Sequence, residues 1–146
     1  MLPSSELMPP APKLNNFAWE GKPQPVKFVE TSQVTKGVEC DVYGFENDST
    51  KDLGIIRVQC GCKTPLQKVL GGDTTIEGYF SGKGNLDIKR ANGEKETYQV
   101  GEKPEEKFSI SVEIGDLMQW HAAENSDLTI YEICFPPYAD GRFENI

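Results

Sequence analysis

From residue 26 to residue 135 the chain is a succession of short runs of alternating apolar and polar residues, punctuated by Gly, Asn, Asp and Pro. A period of two puts successive side chains on opposite faces, as in a strand with one buried side. Such runs occupy 26–29, 38–45, 53–60, 66–70, 76–80, 86–90, 96–100, 108–114, 117–120 and 128–135. Short strands at this spacing predict an all-β barrel or sandwich. No helical periodicity exceeds a turn or two, and no internal repeat is visible.

Within Ile76-Glu77-Gly78-Tyr79-Phe80 the alternation places Glu77 and Tyr79 on one side and Ile76 and Phe80 on the other, so a carboxylate and a phenol look into the same space. Asn92-Gly93 predicts a two-residue hairpin turn with positive φ at both positions, pairing 85–90 antiparallel with 95–100. In 128–135 both faces are largely apolar, so something covers the outer one. A partner subunit would do so, hence an expected homodimer. The competing cover is the N-terminal arm, residues 1–25, in which Pro3, Pro9, Pro10, Pro12, Pro23 and Pro25 forbid a helix or interior strand while Leu14, Phe17 and Trp19 offer apolar contacts. Residues 26–146 then form the barrel domain.

A chain of 146 residues with 37% hydrophobic positions suits one domain with its own core. A net charge of -8 and the lack of a basic patch exclude sequence-independent phosphate binding, so no nucleic-acid partner is expected. No apolar run approaches the roughly 20 residues of a bilayer span, and the first residues lack the basic start and apolar stretch of a secretory signal. A cytoplasmic protein without a membrane partner is the expectation. Cys40, Cys60, Cys62 and Cys134 are then expected as free thiols, and the single close pair Cys60-Gly61-Cys62 does not make a zinc site.

Residues 53–137 resemble the cupin superfamily. Cys60-Gly61-Cys62-Lys63-Thr64-Pro65 looks like the turn before its first motif, and Glu77 followed by six residues and Gly84 matches that motif's closing half. Gly115-Asp116-Leu117-Met118-Gln119-Trp120 looks like the opening of the second motif, and Glu132-Ile133-Cys134-Phe135-Pro136-Pro137 is similar to the exit from the last strand of small cupins. The resemblance implies a double-stranded β-helix, or jelly-roll barrel. It also implies a divalent metal on three histidines and a glutamate, and there the sequence departs. The first two histidine positions fall on Gln67 and Val69, and His121 is the one histidine of the chain, near the third.

The expected site therefore has no metal, with a divalent ion on Glu77, His121 and Gln67 as the alternative. Glu77 and His121 are the candidate acid and base. Gln67, Tyr79, Gln119, Glu132 and Arg57 are the candidate ligand-binding residues, with Gln119 and His121 sharing an inward face. Glu132 lies on the Leu128, Ile130 and Cys134 face, where a buried charge needs a cation, supplied by Arg57 or Arg142. The tail 136–143, with its prolines, glycine and aromatic residues, reads as a flap over the barrel mouth or as a surface-hugging C-terminus. The expected role is binding of a small polar molecule, a sugar derivative or carboxylate. The alternative is an enzyme, either a metal-free isomerase or epimerase using Glu77 and His121, or a metal-dependent one with atypical ligands.

Overall fold

The computed structural model describes residues 13–146, in which every regular element is a strand. In chain order these are β1 (Asn16–Trp19), β2 (Lys22–Thr35), β3 (Val38–Phe45), β4 (Asp48–Val58), β5 (Gln67–Val69), β6 (Thr74–Gly82), β7 (Gly84–Lys89), β8 (Lys95–Val100), β9 (Ser109–Val112), β10 (Leu117–Ala122), β11 (Leu128–Phe135) and β12 (Phe143–Asn145). They pair antiparallel in two sheets, β1-β2-β3-β4-β11-β6-β9 and β12-β5-β10-β7-β8. Among the described residues no helix is long and apolar enough to cross a membrane.

Inward-facing residues of both sheets make the main core. Val38, Val58, Leu128 and Ile130 come from the first sheet and Leu86, Ile88, Val100, Met118 and Trp120 from the second, all buried. These are the apolar halves of the alternating runs, and their burial is the main favourable term in closing the two sheets together. A second cluster lies on the other face of β4 and β11, where Leu53, Ile55, Tyr131 and Ile133 pack with Tyr43, Phe45 and Val26.

That second cluster is covered from within the chain. Phe17 on β1 meets Tyr131 edge-on at 5.0 Å between ring centroids and stacks on Phe80 at 6.3 Å, while Trp19 packs on Phe135 at 5.8 Å. The outer apolar face of β11 therefore no longer argues for a partner subunit. Pro23 and Pro25 lie where β2 pairs only with β1, and its pairing with β3 begins at Val26, so neither proline removes a donor needed on both sides. β2 runs continuously through the expected boundary after residue 25, and residues 1–12 of the arm lie outside the described residues.

The ten predicted runs correspond to β2 through β11. The hairpin turn differs in type from the expectation. Among its residues only Gly93 has positive φ, at 93°, and its N–H donates to the Arg90 carbonyl at 2.9 Å. It is a type I turn closed by a left-handed glycine, a three-residue connection in place of the two-residue one. Gly71 and Gly72 carry the chain from β5 in one sheet to β6 in the other. All four cysteines are free.

Candidate functional site

Even-numbered positions of β4 and β11 face into the barrel, and this parity builds a cavity of about 350 Å³. Asp52, Gly54 and Ile56 of β4, Val38, Cys40 and Val42 of β3, and Glu132 and Cys134 of β11 form its floor. The free end of β2 adds Glu30, Ser32 and Val34, and Gln67 of β5 with Thr64 closes the opposite side. Gly54 sits opposite Glu132 in the ladder, and a Cβ there would stand 3.1 Å from the Cys40 sulfur. The glycine thus keeps the floor open beside the Glu132 carboxyl.

The C-terminal tail forms the rim. Tyr138 and Phe143 line the cavity and stack on each other with centroids 6.0 Å apart. The Tyr138 N–H donates to Asp52 Oδ2 at 2.9 Å, and β12 pairs with β5 at the sheet edge. Arg142 anchors the turn between them: its guanidinium donates to the carbonyls of Thr74, Phe135 and Pro136 and to the Thr75 hydroxyl, at 2.7–3.2 Å. Gly72, at φ 91°, makes room for it, since a Cβ there would fall 2.3 Å from the guanidinium carbon.

Behind the floor lies Glu77, 1% exposed and paired in register with Glu132. Trp120 Nε1 donates to Glu77 Oε1 at 2.8 Å. Oε2 meets no N–H or O–H donor of the described residues, and its neighbour is the Glu132 carboxyl, a contact that becomes a hydrogen bond when a proton lies between them. Burial, and then the charge of Glu132, push the Glu77 carboxyl well above the usual carboxylate range, so Glu77 is the protonated member of the pair. Burial also raises Asp52 and lifts the Cys40 thiol to about 12, and Cys134 rises as well, its sulfur donating to Glu132 Oε1 at 3.6 Å. Both cavity thiols therefore stay protonated near neutral pH and are poor nucleophiles. Proton chemistry here belongs to the carboxyls.

The other candidates are distributed differently from the sequence reading. Tyr79 shares the inward side with Glu77 as expected, but its hydroxyl donates to the Gly82 carbonyl at 2.8 Å and it packs in the core. On β10 it is Met118, Trp120 and Ala122 that face the core, so Gln119 and His121 point outward: this corrects the inward face assigned to them. Gln119 donates to the Thr64 carbonyl at 2.8 Å, and His121 Nε2 lies 3.1 Å from Asp87 Oδ2 on the far side of that sheet. His121 is thus not brought to Glu77. Arg57 is likewise on the face opposite the cavity, forked to Glu39 and Asp41 at 3.2 Å each, and Arg142 is taken up by carbonyls, so neither is the cation expected beside Glu132. Gln67 does line the cavity, with its amide on Asn145 at 3.2 Å. The alternative metal set of Glu77, His121 and Gln67 is not assembled, and among the described residues no three or more His, Cys, Asp or Glu side chains are placed to hold a metal ion. The residues do not fit the divalent ion that the cupin resemblance implies.

Asp52, Cys40, Cys134 and Glu30 were absent from the sequence reading of the site. Cys134 shares the alternation of Glu132, and Asp52 lies opposite it in register, but register is invisible in one sequence.

Solved structures carry the same arrangement of strands. A cupin-2 domain from Rhodospirillum rubrum superposes with a TM-score of 0.60 at 14% identity, covering 95% of this chain and 84% of the other. The chain has the cupin fold. A His-to-Gln variant of Streptomyces PAC13, solved with uridine, matches the cupin barrel at TM-score 0.56 and 14% identity, over 82% of this chain and 89% of that one. CapF from Staphylococcus aureus, a capsular polysaccharide assembling protein, gives 0.62 at 11%, covering 84% of this chain but 34% of its own, so this chain spans about a third of it. No family model matches the sequence, and no curated protein matches it.

Proposed function

We propose that this cupin barrel binds one small polar molecule in the cavity between β2–β4, β11 and the C-terminal tail. The single observation that carries the reading is a cleft of about 350 Å³, open along β2, whose floor presents Glu132 and Asp52 among apolar walls. That volume is at the lower end of ligand cavities, which run from about 300 to 1,000 Å³, and a few polar groups converging in an apolar cleft is their usual composition. The tail, latched by Arg142, forms the rim over the bound molecule. The uridine bound by PAC13 is in keeping with a polar occupant of this size class.

The test is a ligand screen by thermal shift, repeated with Val34→Trp. Val34 lines the cavity and is 38% exposed, so an indole there fills the mouth without entering the core. Binders of the native chain that raise its melting temperature are expected to leave the variant unmoved. Equal shifts in both would reject the cavity as the site.

A second reading, an acid–base enzyme, is favoured by the proton held between Glu77 and Glu132. With His121 turned away, the pair would transfer the proton by itself, Glu132 touching the substrate and Glu77 behind it as the proton store. Solvent-deuterium exchange into a bound ligand, lost in Glu77→Gln, is the expected sign of it.

A further inference from the structure

We infer that the occupant of the cavity is a small organic amine, bound as its ammonium ion with its charge on Glu132 and Asp52 and its apolar body against the valine and isoleucine walls. The inference rests on the cavity reading above and narrows its ligand class, moving it away from the carboxylates that the sequence allowed.

The first support is charge. Three carboxyl side chains, Glu30, Asp52 and Glu132, line the hollow, and no lysine, arginine or histidine is among the described lining residues. An anionic ligand would enter against this field, whereas a cation supplies the counter-charge that the half-buried Asp52 and Glu132 need, with the exposed Glu30 at the mouth adding to the attraction. Arg142, close enough for its charge to act on Asp52, cannot turn to receive an anion without abandoning the carbonyls of Thr74, Phe135 and Pro136. The second support is the hydrogen-bond balance of the floor. Glu132 accepts the Glu77 proton and the Cys134 thiol at 3.6 Å, and Asp52 accepts the Tyr138 N–H at 2.9 Å, while a carboxylate has about four acceptor sites, so lone pairs of both carboxyls remain for a donor in the cavity. An ammonium brings three donors and no acceptor, which matches that excess.

The rim points the same way. Tyr138 and Phe143 present stacked rings at the mouth, and ring faces attract cations. The chain already holds one ammonium in such surroundings: Lys51 Nζ contacts Asp48 Oδ2 at 2.5 Å and lies 4.7 Å from the Phe45 ring centroid, with Trp19 and Phe135 at 5.8 and 5.9 Å. Carboxylate plus aromatic rings is thus a combination this fold uses for a buried cationic nitrogen. The net charge of -8 adds a long-range field that draws cations in.

Calorimetry near neutral pH with three probes of nearly equal body tests it: phenethylamine, 2-phenylethanol and 3-phenylpropionate. The amine is expected to bind roughly tenfold or more tighter than the alcohol, and the carboxylate not at all. Glu132→Gln and Asp52→Asn are each expected to weaken the amine by about tenfold while changing the alcohol by less than about threefold. Val34→Trp is expected to abolish both. Should the alcohol or the carboxylate bind as well as the amine, with Val34→Trp still blocking them, the amine inference fails and the cavity reading survives. Amine binding that ignores Val34→Trp would be attraction to the acidic surface and would overturn both, and an amine that does not bind at all overturns the inference.

Discussion

Glu77 and Glu132 stand directly opposite each other across the β6–β11 ladder, with Gly54 on the other side of Glu132. Two carboxylates facing each other in a sheet are destabilising when both are ionised. Here the conflict is relieved by protonating the one that is fully enclosed, which Trp120 Nε1 also holds in place. The same geometry leaves Glu132 at the cavity surface, with its reactivity coupled to a neighbour that solvent does not reach.

The pair makes stability depend on pH in a definite direction. The unfolded chain releases the Glu77 proton near the ordinary glutamate value, about 4.3, while the folded chain holds it to a higher pH. Its contribution is fully present below that ordinary value and is lost as pH rises through the folded one. Urea unfolding from about pH 5 upward is therefore expected to show falling stability, with a slope of up to about 1.4 kcal/mol per pH unit from this group. Glu77→Gln keeps an acceptor for Trp120 and can turn its amide to Glu132 without titrating, so its curve should be flatter and lie above the native one at high pH. Asp52, raised by burial, contributes with the same sign, so some slope remains. An unchanged slope in the variant would remove Glu77 as the source.

The Arg142 latch predicts a strong response to one methyl group. In Gly72→Ala the Cβ would meet the guanidinium at 2.3 Å, at a φ of 91° that L residues rarely adopt. Displacing Arg142 frees three carbonyls and the Thr75 hydroxyl, so a loss of about 2–4 kcal/mol is expected by chemical denaturation. Hydrogen exchange should quicken at the Leu70 and Gly71 amides, which donate to the Arg142 carbonyl. A variant as stable as the native chain, with those amides still protected, would mean that the tail is held by other contacts.

The docked arm predicts that Phe17 carries much of the outer cluster. It is 5% exposed and touches both Tyr131 and Phe80. Phe17→Ala is expected to cost about 3 kcal/mol, with exposed apolar surface detectable by dye binding. A cost within about 0.5 kcal/mol would show that β1 adds little to the fold in solution.

How far the sequence could be read follows from what alternation encodes. It placed the strands, and it put Glu77 and Tyr79 on one side and Glu132 with Cys134 on another, because period two is a local property. It does not say which side is inside when the apolar content is mixed. On β10 the residues Met118, Trp120 and Ala122 already marked the inner face, but the likeness to the second cupin motif drew His121 inward with it. The hairpin β1–β2 was hidden by Pro23 and Pro25, whose missing donors are harmless where β2 is paired on one side only. Asp52 and the rim residue Phe143 join the site through pairings 82 and 74 residues apart in sequence, Asp52 with Cys134 and Phe143 with Val69, and no local pattern carries that information.

The four free thiols give a probe of the cavity that needs no ligand. Cys60 is exposed, Cys62 is half-buried against Gly37, and Cys40 and Cys134 lie in the cavity wall with their thiols raised by burial and by the nearby carboxylates. Disulfide exchange needs the thiolate and access to it: both cavity thiols are held protonated, Cys134 is buried and Cys40 is only partly exposed. Ellman's reagent near neutral pH is expected to give one fast phase, removed by Cys60→Ser, with Cys40 slower for want of thiolate and Cys134 reacting only as fast as the barrel opens. Arg142→Met should accelerate that slow phase by releasing the tail. Cys40 and Cys134 modified as quickly as Cys60 in the native chain would mean that neither the tail nor the carboxylates beside Glu132 protect these thiols.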